Sequence, residues 1–176
     1  NLLKRFGSLA RVLHASTSFA RSECASEIDG MKLVVAARML VEAGLRETIM
    51  GAALSGRDPA MIRYIRSRYA GSCQEKLMVI YLDEHDRFVL DEFVSEGGIC
   101  ETKFAVRRIF SRAFELGARG IILAHNHPSG VCRPSESDRK LTRWLSETSP
   151  AFELILVDHI IVTTKSAFSM RAGGEI

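Results

Sequence analysis

The sequence predicts an α/β (α+β) fold in which one mixed sheet is packed between helices as a sandwich. Two strongly apolar runs, at residues 77–82 and 121–124, have the composition of strands that are buried on both faces. Residues 104–116 and 135–146 repeat apolar side chains at helical spacing. Helices that alternate with strands in one sheet are typical of a layered fold with its site at the strand ends.

Residues 1–55 are predicted to form a separate, small helical region. Apolar side chains recur at helical spacing from Leu2 to Leu13, and a second apolar-rich helix is predicted at residues 31–49. The polar segment between them contains a turn glycine, Gly30, so the region is helix-hairpin-helix-like. The sequence begins at Asn1 rather than Met, and we therefore expect a missing N-terminus.

Residues 56–176 are predicted to form the main domain. Asp58-Pro59 is a helix-start signal, and the helix that follows has an arginine row that is either a phosphate-binding face or a solvated surface. The remaining predicted elements are a hairpin at residues 77–82 and 88–94, the helix at 104–116, a central strand at 121–124, a helix with Leu141, Trp144 and Leu145 facing the core, two strands within 152–163 kinked near Asp158-His159, and a last strand at 167–170.

Composition indicates a globular protein of a reducing compartment. The 176 residues are 47% hydrophobic and 26% charged, and the net charge of +3 is too small to indicate nucleic-acid binding by bulk attraction. There is no apolar run of membrane-spanning length and no secretory signal pattern, so we expect a cytoplasmic protein with no membrane partner. The four cysteines form no disulfide framework or C-x-x-C pair, which favours reduced thiols.

Histidines mark the end of the central strand. His125 and His127 are two residues apart, so a strand presents both imidazoles on one face. Pro128-Ser129-Gly130 ends the strand, and Asp138 falls in the first turn of the helix that begins at Ser135. Two imidazoles and a carboxylate can fill three positions of a tetrahedral zinc site, with the fourth left for water.

Simpler explanations exist for each feature alone. Ser135 and Asp138 fit a helix-capping pattern, and a His-x-His pair can lie at the edge of a core. Cys132, between the candidate ligands, is either a loop residue or a further metal contact. Together, at the end of one apolar strand, these residues favour metal binding.

The spacing His125-x-His127, seven residues, Ser135, two residues, Asp138 resembles the JAMM (MPN-plus, JAB1-type) zinc-protease motif without a departure. HNHPSG followed by PS-x-x-D is similar to the RadC (UPF0758) subfamily, as is LLKRFGSLARVLHAS at residues 2–16. The resemblance implies a JAMM/cytidine-deaminase-like sandwich that binds Zn²⁺ through His125, His127 and Asp138.

The resemblance also implies the catalytic residues. Glu75 precedes the first central strand in the family's Glu-x6-Leu-Asp context, and it would be the general base, whereas Glu84 and Glu92 are competing acids in the turn and mid-strand. Ser135 would donate to the oxyanion in addition to capping its helix. Asn126 must point away from the histidines and is expected to make a structural hydrogen bond, and His159 beside Asp158 either orients a ligand or is a buried core residue.

Two functions follow from these residues. The first is a zinc-dependent metallopeptidase that cleaves a peptide or isopeptide bond of a peptide or protein substrate. The alternative is a non-catalytic, zinc-containing binding module associated with DNA, in keeping with the DNA-repair association of RadC proteins. DNA would contact the N-terminal helices, where Glu27-Ile28-Asp29-Gly30 replaces the family's G-h-G hairpin, so this region is either a DNA clamp or a structural cap.

Overall fold

A computed structural model of the chain describes Lys4 and residues 25–96 and 103–176. Its elements, in chain order, are α1 (Ala25–Glu47), α2 (Pro59–Arg68), β1 (Lys76–Leu82), β2 (Phe88–Glu96), α3 (Lys103–Leu116), β3 (Gly120–Asn126), α4 (Glu136–Thr148), a 3₁₀ helix (Ser149–Phe152), β4 (Ile155–Val162) and β5 (Ala167–Ser169). Within these ranges no helix is long and apolar enough to cross a membrane. Apart from Lys4, the predicted helix at residues 2–13 lies outside the described residues.

The strands form one mixed sheet in the order β2-β1-β3-β4-β5. β1 is antiparallel to both β2 and β3, β3 is parallel to β4 across the α4 crossover, and β5 is antiparallel to β4. The C-terminal ends of β3 and β4 therefore lie beside the N-terminal end of β1, at one end of the sheet. Most of the candidate site residues are found at this end.

Both faces of the sheet are covered, which confirms the predicted mixed α/β sandwich. Alternate residues of β1 pack on different layers: Met78 and Ile80 join the core under α1 and α2, while Leu77 and Val79 join the core under α3 and α4. Because each strand must be apolar on both sides, β1 and β3 are continuous apolar runs rather than alternating ones. That double burial is the reason their sequences identify them so clearly.

The two predicted helix starts are confirmed. Asp58 is the N-cap of α2, and its Oδ1 accepts a hydrogen bond from the Ala60 amide at 2.7 Å, with Pro59 in the first turn. Ser135 is the N-cap of α4 in a complete capping box with Asp138. Gly117, at φ 62°, follows α3 in the left-handed conformation that glycine adopts without strain.

The two kinked strands predicted within residues 152–163 are wrong. Phe152 belongs to the 3₁₀ helix, and a single strand, Ile155–Val162, pairs along its length with β3. The register skips one residue at Val157, since Leu156 lies opposite Ile121 and Asp158 lies opposite Ile122. This bulge absorbs the irregularity within one strand.

Two further details differ from the prediction. Gly30 lies inside α1 rather than in a turn, because a single helical glycine costs only about 1 kcal/mol and the rest of the helix tolerates it. Trp144 is 43% exposed and packs edge-on against Phe110, whereas Leu145 is fully buried. The helix-hairpin-helix-like character of residues 1–55 and the domain boundary after residue 55 stay predictions.

Gly56 allows the chain to pass close to a buried carboxylate, and Gly56→Ala should destabilise the fold by about 3 kcal/mol. An added Cβ would lie 1.7 Å from Asp158 Oδ2. Asp158 cannot move freely, because it accepts hydrogen bonds from the His159 amide at 2.7 Å and the Ser169 hydroxyl at 2.5 Å. Urea denaturation measures the change in the free energy of unfolding.

Gly44→Ala in α1 is the matched control. Nothing lies within 4 Å of a Cβ at this exposed helical position, so the substitution should stabilise the protein by up to about 1 kcal/mol. Equal unfolding free energies for Gly56→Ala and the wild type would contradict the close approach to Asp158.

Candidate metal centre

The five predicted site residues line one cavity of about 590 Å³ at the edge where β3 ends. They come from three separate parts of the fold: Glu75 from the start of β1, His125 and His127 from the end of β3, and Ser135 and Asp138 from the start of α4. The structure therefore brings together residues that are 63 positions apart in sequence, from 75 to 138. Their individual roles stay predictions.

The β3 strand aims both histidines the same way. His125 is its penultimate residue, and His127 follows its end, but the His127 amide still donates to the Val162 carbonyl at 3.0 Å. The extended backbone thus continues through His127, and the two-residue period places both imidazoles on one face. Their Nε2 atoms lie 2.7 Å apart.

Asp138 completes the cluster from the first turn of α4. Its Oδ1 lies 3.3 Å from His125 Nε2, and its Oδ2 lies 3.5 Å from His127 Nε2. All three residues offer a ligand atom within 4.8 Å of the others, so one metal ion can be shared by the set. This is the only such cluster of three among the described residues.

Hydrogen bonds behind the imidazoles set their tautomers. His127 Nδ1 lies 2.8 Å from the Val131 carbonyl, which only accepts, so His127 carries its proton on Nδ1. In the neutral imidazole the lone pair is then on Nε2, the atom that faces Asp138 and His125 Nε2. An imidazole in this form is a metal ligand.

The same arrangement shifts the pKa of the facing groups. Burial raises the pKa of Asp138, but its interactions with the His125 and His127 imidazoles and the hydrogen bond from Ser135 outweigh burial and hold the pKa well below its usual range. The hydrogen bond to Asp138 raises the pKa of His127 against the effect of burial. Asp138 is therefore an anion at neutral pH, and the cluster attracts a cation, whether a proton or a metal ion.

His159 lies behind His125 rather than in the cavity. It is fully buried on β4, and its Nε2 is 2.8 Å from His125 Nδ1. Burial, with the charge of neighbouring His125, lowers the pKa of His159 to about 3, so it is neutral. His159 is therefore a buried core residue that also contacts His125, a predicted metal ligand, and its role in orienting that ligand stays a prediction. Asp158 points elsewhere, to Ser169 and the Arg171 amide.

Glu75 lies at the cavity opposite His127. In the antiparallel register Leu77 pairs with His125, so two residues earlier Glu75 comes level with His127. Its side chain is exposed to solvent. The competing acids lie away from the cavity: Glu84 is exposed in the hairpin turn, and Glu92 accepts hydrogen bonds from Tyr81 and Arg108.

Asn126 holds the segment that carries Glu75. Its side chain is 5% exposed, donates to the Gln74 carbonyl at 3.0 Å and accepts from the Lys76 amide at 2.9 Å. The amide thus binds the residues on both sides of Glu75, and the predicted structural hydrogen bond is confirmed. Because neighbouring residues of a strand point to opposite faces, the residue between the two histidines can do this.

Ser135 makes its contacts with Asp138. The Ser135 hydroxyl accepts from the Asp138 amide at 3.2 Å and lies 2.6 Å from Asp138 Oδ2, which also accepts from the Ser135 amide at 2.6 Å. The capping role of this serine is therefore present in the structure. Ser135 is also exposed to the cavity, as an oxyanion donor must be.

Cys132 and the arginine row fit their simpler explanations. The Cys132 thiol lies 3.4 Å from the Ile161 carbonyl, and the cysteine is outside the metal-ligand cluster. Arg68 forms ion pairs with Asp91 and Glu42, and Arg66 donates to the Thr164 carbonyl. Among the described residues, Arg63 is the one arginine of α2 that is exposed without a hydrogen bond or ion pair. The row is not a continuous phosphate-binding face.

Sequence reasoning missed Thr142. Its hydroxyl lies 2.6 Å from His159 Nδ1 and donates to the Asp138 carbonyl at 2.6 Å. Thr142 is one helical turn after Asp138, on the same side of α4, and that spacing was the only signal of its role in the sequence.

The chain is similar to known proteins over nearly its whole length. A family model described as "RadC-like JAB domain" matches residues 57–175. A UPF0758 protein of Paraburkholderia xenovorans is 33% identical over 174 residues, which are 98% of this chain and 68% of the relative. Another of Vibrio vulnificus is 33% identical over 99% of this chain and 78% of the relative, and one of Cupriavidus pinatubonensis is 33% identical over 100% and 77%.

Asn126→Ala should lower the free energy of unfolding by about 2 kcal/mol, because it removes two hydrogen bonds to the backbone around Glu75. The exchange of the Lys76 amide with deuterium should accelerate as well. Gln74→Ala is the control: it keeps the carbonyl that Asn126 binds and truncates only an exposed side chain, so its effect should stay within about 0.5 kcal/mol. Unchanged stability and Lys76 exchange in Asn126→Ala would disprove the tether.

Proposed function

This chain belongs to the RadC family of JAB-domain proteins, and we propose that it is a zinc-dependent hydrolase of the JAMM type that cleaves a peptide or isopeptide amide bond. One observation supports the proposal: the three residues of the candidate metal cluster and Glu75 line the same cavity. A purely structural metal site has no use for an exposed acid beside it. A hydrolase needs one to move protons.

The donor set fits zinc. Imidazole nitrogen and carboxylate oxygen are zinc ligands, and tetrahedral coordination separates ligand atoms by about 3.3 Å. His125 Nε2 lies 3.3 Å from Asp138 Oδ1 and His127 Nε2 lies 3.5 Å from Asp138 Oδ2, so each imidazole is close to this separation from one oxygen of the carboxylate. The two imidazole nitrogens, at 2.7 Å, are at hydrogen-bonding distance and must move apart slightly to share an ion. Three protein ligands leave one position open, as in catalytic zinc sites.

His125, His127 and Asp138 would hold the ion, and the bound zinc would supply Lewis acidity that makes water nucleophilic at neutral pH. Glu75 takes the proton from the attacking water and delivers it to the leaving amine. Its exposure and its place opposite His127 support this role, since a general base must reach both groups from the open side of the cavity.

Ser135 would stabilise the developing oxyanion through its hydroxyl. Ser135 lines the cavity, and its hydroxyl donates to Asp138 Oδ2, an oxygen that also accepts a hydrogen bond from the Ser135 amide. The hydrogen bond from the Ser135 backbone amide is enough to hold the Asp138 carboxylate, so the hydroxyl proton is available to a substrate. One donor of this kind contributes about 100- to 1,000-fold in kcat.

The proposal also covers the substrate, the cellular location and the association with DNA. A peptide or protein segment is the proposed substrate, and the cytoplasm is the proposed location, where Cys73 and Cys132 stay free thiols. An association with DNA through residues 1–55 belongs to the alternative function, a binding module without turnover.

The protein should bind one zinc ion per chain, and His127→Ala should lose it. Removing one of three ligands leaves only His125 and Asp138 at the centre, and the thermal stabilisation by added zinc should disappear with the bound metal. Elemental analysis and thermal unfolding with and without a chelator measure both effects. His85→Ala, which removes an exposed histidine of the β1–β2 turn, is the control and should retain the metal. Full zinc occupancy in His127→Ala would contradict the ligand assignment.

Glu75→Gln should keep zinc and lose peptidase activity by at least about 100-fold, because the amide cannot accept the proton of water. Cleavage is measured with a proteome-derived peptide library, in which mass spectrometry detects new amino termini. Glu84→Gln, in the exposed hairpin turn, is the matched control and should cleave like the wild type. Zinc in all three proteins with no cleavage by any of them would favour the binding module instead.

A further inference from the structure

A chain of buried hydrogen bonds runs from α4 to the back of His125. Thr142 is 1% exposed and His159 is 0% exposed, and neither residue borders the cavity. Thr142 Oγ1 lies 2.6 Å from His159 Nδ1, and His159 Nε2 lies 2.8 Å from His125 Nδ1. Three side chains thus form a relay that ends on a candidate metal ligand.

The direction of these bonds follows from the first of them. The Thr142 hydroxyl has one proton, and it lies 2.6 Å from the Asp138 carbonyl, which can only accept. The hydroxyl proton is therefore committed to that carbonyl, and the Thr142 oxygen accepts from His159 Nδ1–H. A buried neutral histidine with its proton on Nδ1 has a lone pair on Nε2.

That lone pair decides the tautomer of His125. His159 Nε2 accepts, so His125 donates through Nδ1–H, and the neutral His125 imidazole then has its lone pair on Nε2. His125 Nε2 is the atom that lies 3.3 Å from Asp138 Oδ1 and 2.7 Å from His127 Nε2. In the opposite tautomer this nitrogen would carry a proton and could not bind a metal ion.

We propose that Thr142 and His159 are positioning residues that lock His125 in its metal-binding tautomer. The relay also links β3 to α4, the helix that carries Asp138, by way of His159 on β4. The same Thr142 hydroxyl binds the Asp138 backbone carbonyl within α4. The inference rests on the proposed metal site for its consequence, but the tautomer itself is a property of the metal-free protein.

The test replaces Thr142 by valine, which has the same shape without the hydroxyl, and by serine, which keeps the hydroxyl. Without an acceptor at Nδ1, His159 can reverse its tautomer and donate through Nε2, which drives the proton of His125 to its own Nε2. Imidazole ¹⁵N NMR of the metal-free proteins reports the protonated nitrogen of His125, and competition with a chromophoric chelator gives the zinc Kd.

In the wild type and in Thr142→Ser, His125 should be protonated on Nδ1, and the two zinc Kd values should agree within about threefold. Thr142→Val should show a population protonated on Nε2 and a zinc Kd raised by about 10- to 100-fold, the usual effect of losing a partner behind a ligand. A Thr142→Val protein with unchanged tautomer and Kd would overturn the proposal, as would a serine variant as weak as the valine variant.

The wild-type spectrum decides the matter even where Thr142→Val does not fold, because His125 protonated on Nε2 in the metal-free wild type refutes the lock directly. The experiments also distinguish failure of the proposed zinc-dependent function from failure of the proposed tautomer lock. A wild-type protein that binds no zinc contradicts the proposed function, while the Nδ1–H signal of His125 still confirms or refutes the role of Thr142 and His159.

Discussion

Two imidazole lone pairs and a carboxylate face one another at the end of β3, and the rest of the site depends on how that arrangement is maintained. Such groups repel unless a cation lies among them. Each is therefore fixed from behind: His127 by the Val131 carbonyl, His125 by His159, and Asp138 by the Ser135 amide. A cation that binds among these groups, whether a proton or a metal ion, therefore favours the folded arrangement.

The register of the sheet supplies the geometry. Antiparallel pairing of Leu77 with His125 brings the start of β1 to the metal centre, and parallel pairing of β3 with β4 brings His159 behind it. A slip of one residue would turn His125 and Asn126 to opposite faces and dismantle both the ligand set and the tether of Glu75. Such a slip is prevented by apolar packing, since β1 and β3 are buried on both sides. Packing of the core thus fixes the register that positions the candidate site residues at the strand ends.

Several elements and the candidate site could be predicted from the sequence, because their residues indicate a structure without reference to distant neighbours. Apolar runs identified β1 and β3, Asp58-Pro59 and Ser135 identified two helix starts, and the spacing of the histidines and Asp138 identified the centre. Other features depend on tertiary neighbours. The bulge at Val157 has no local breaker residue, and the exposure of Trp144 follows from the seam between α3 and α4. The contact of Thr142 with His159, which lies 17 positions away in sequence, is another such feature.

Burial separates two kinds of residue at this site. The groups that fix the ligands, His159 and Thr142, are at most 1% exposed, and Asn126 is 5% exposed, whereas Glu75 and Ser135 border solvent. The metal-binding geometry is thus coupled to the stability of the core, and the groups that would meet a substrate are not. The end of β3 joins the two, because consecutive residues of a strand point to opposite faces. His125 faces the candidate metal centre, and Asn126 holds the backbone around Glu75 from the other face, so one rigid strand sets the position of Glu75 relative to His125.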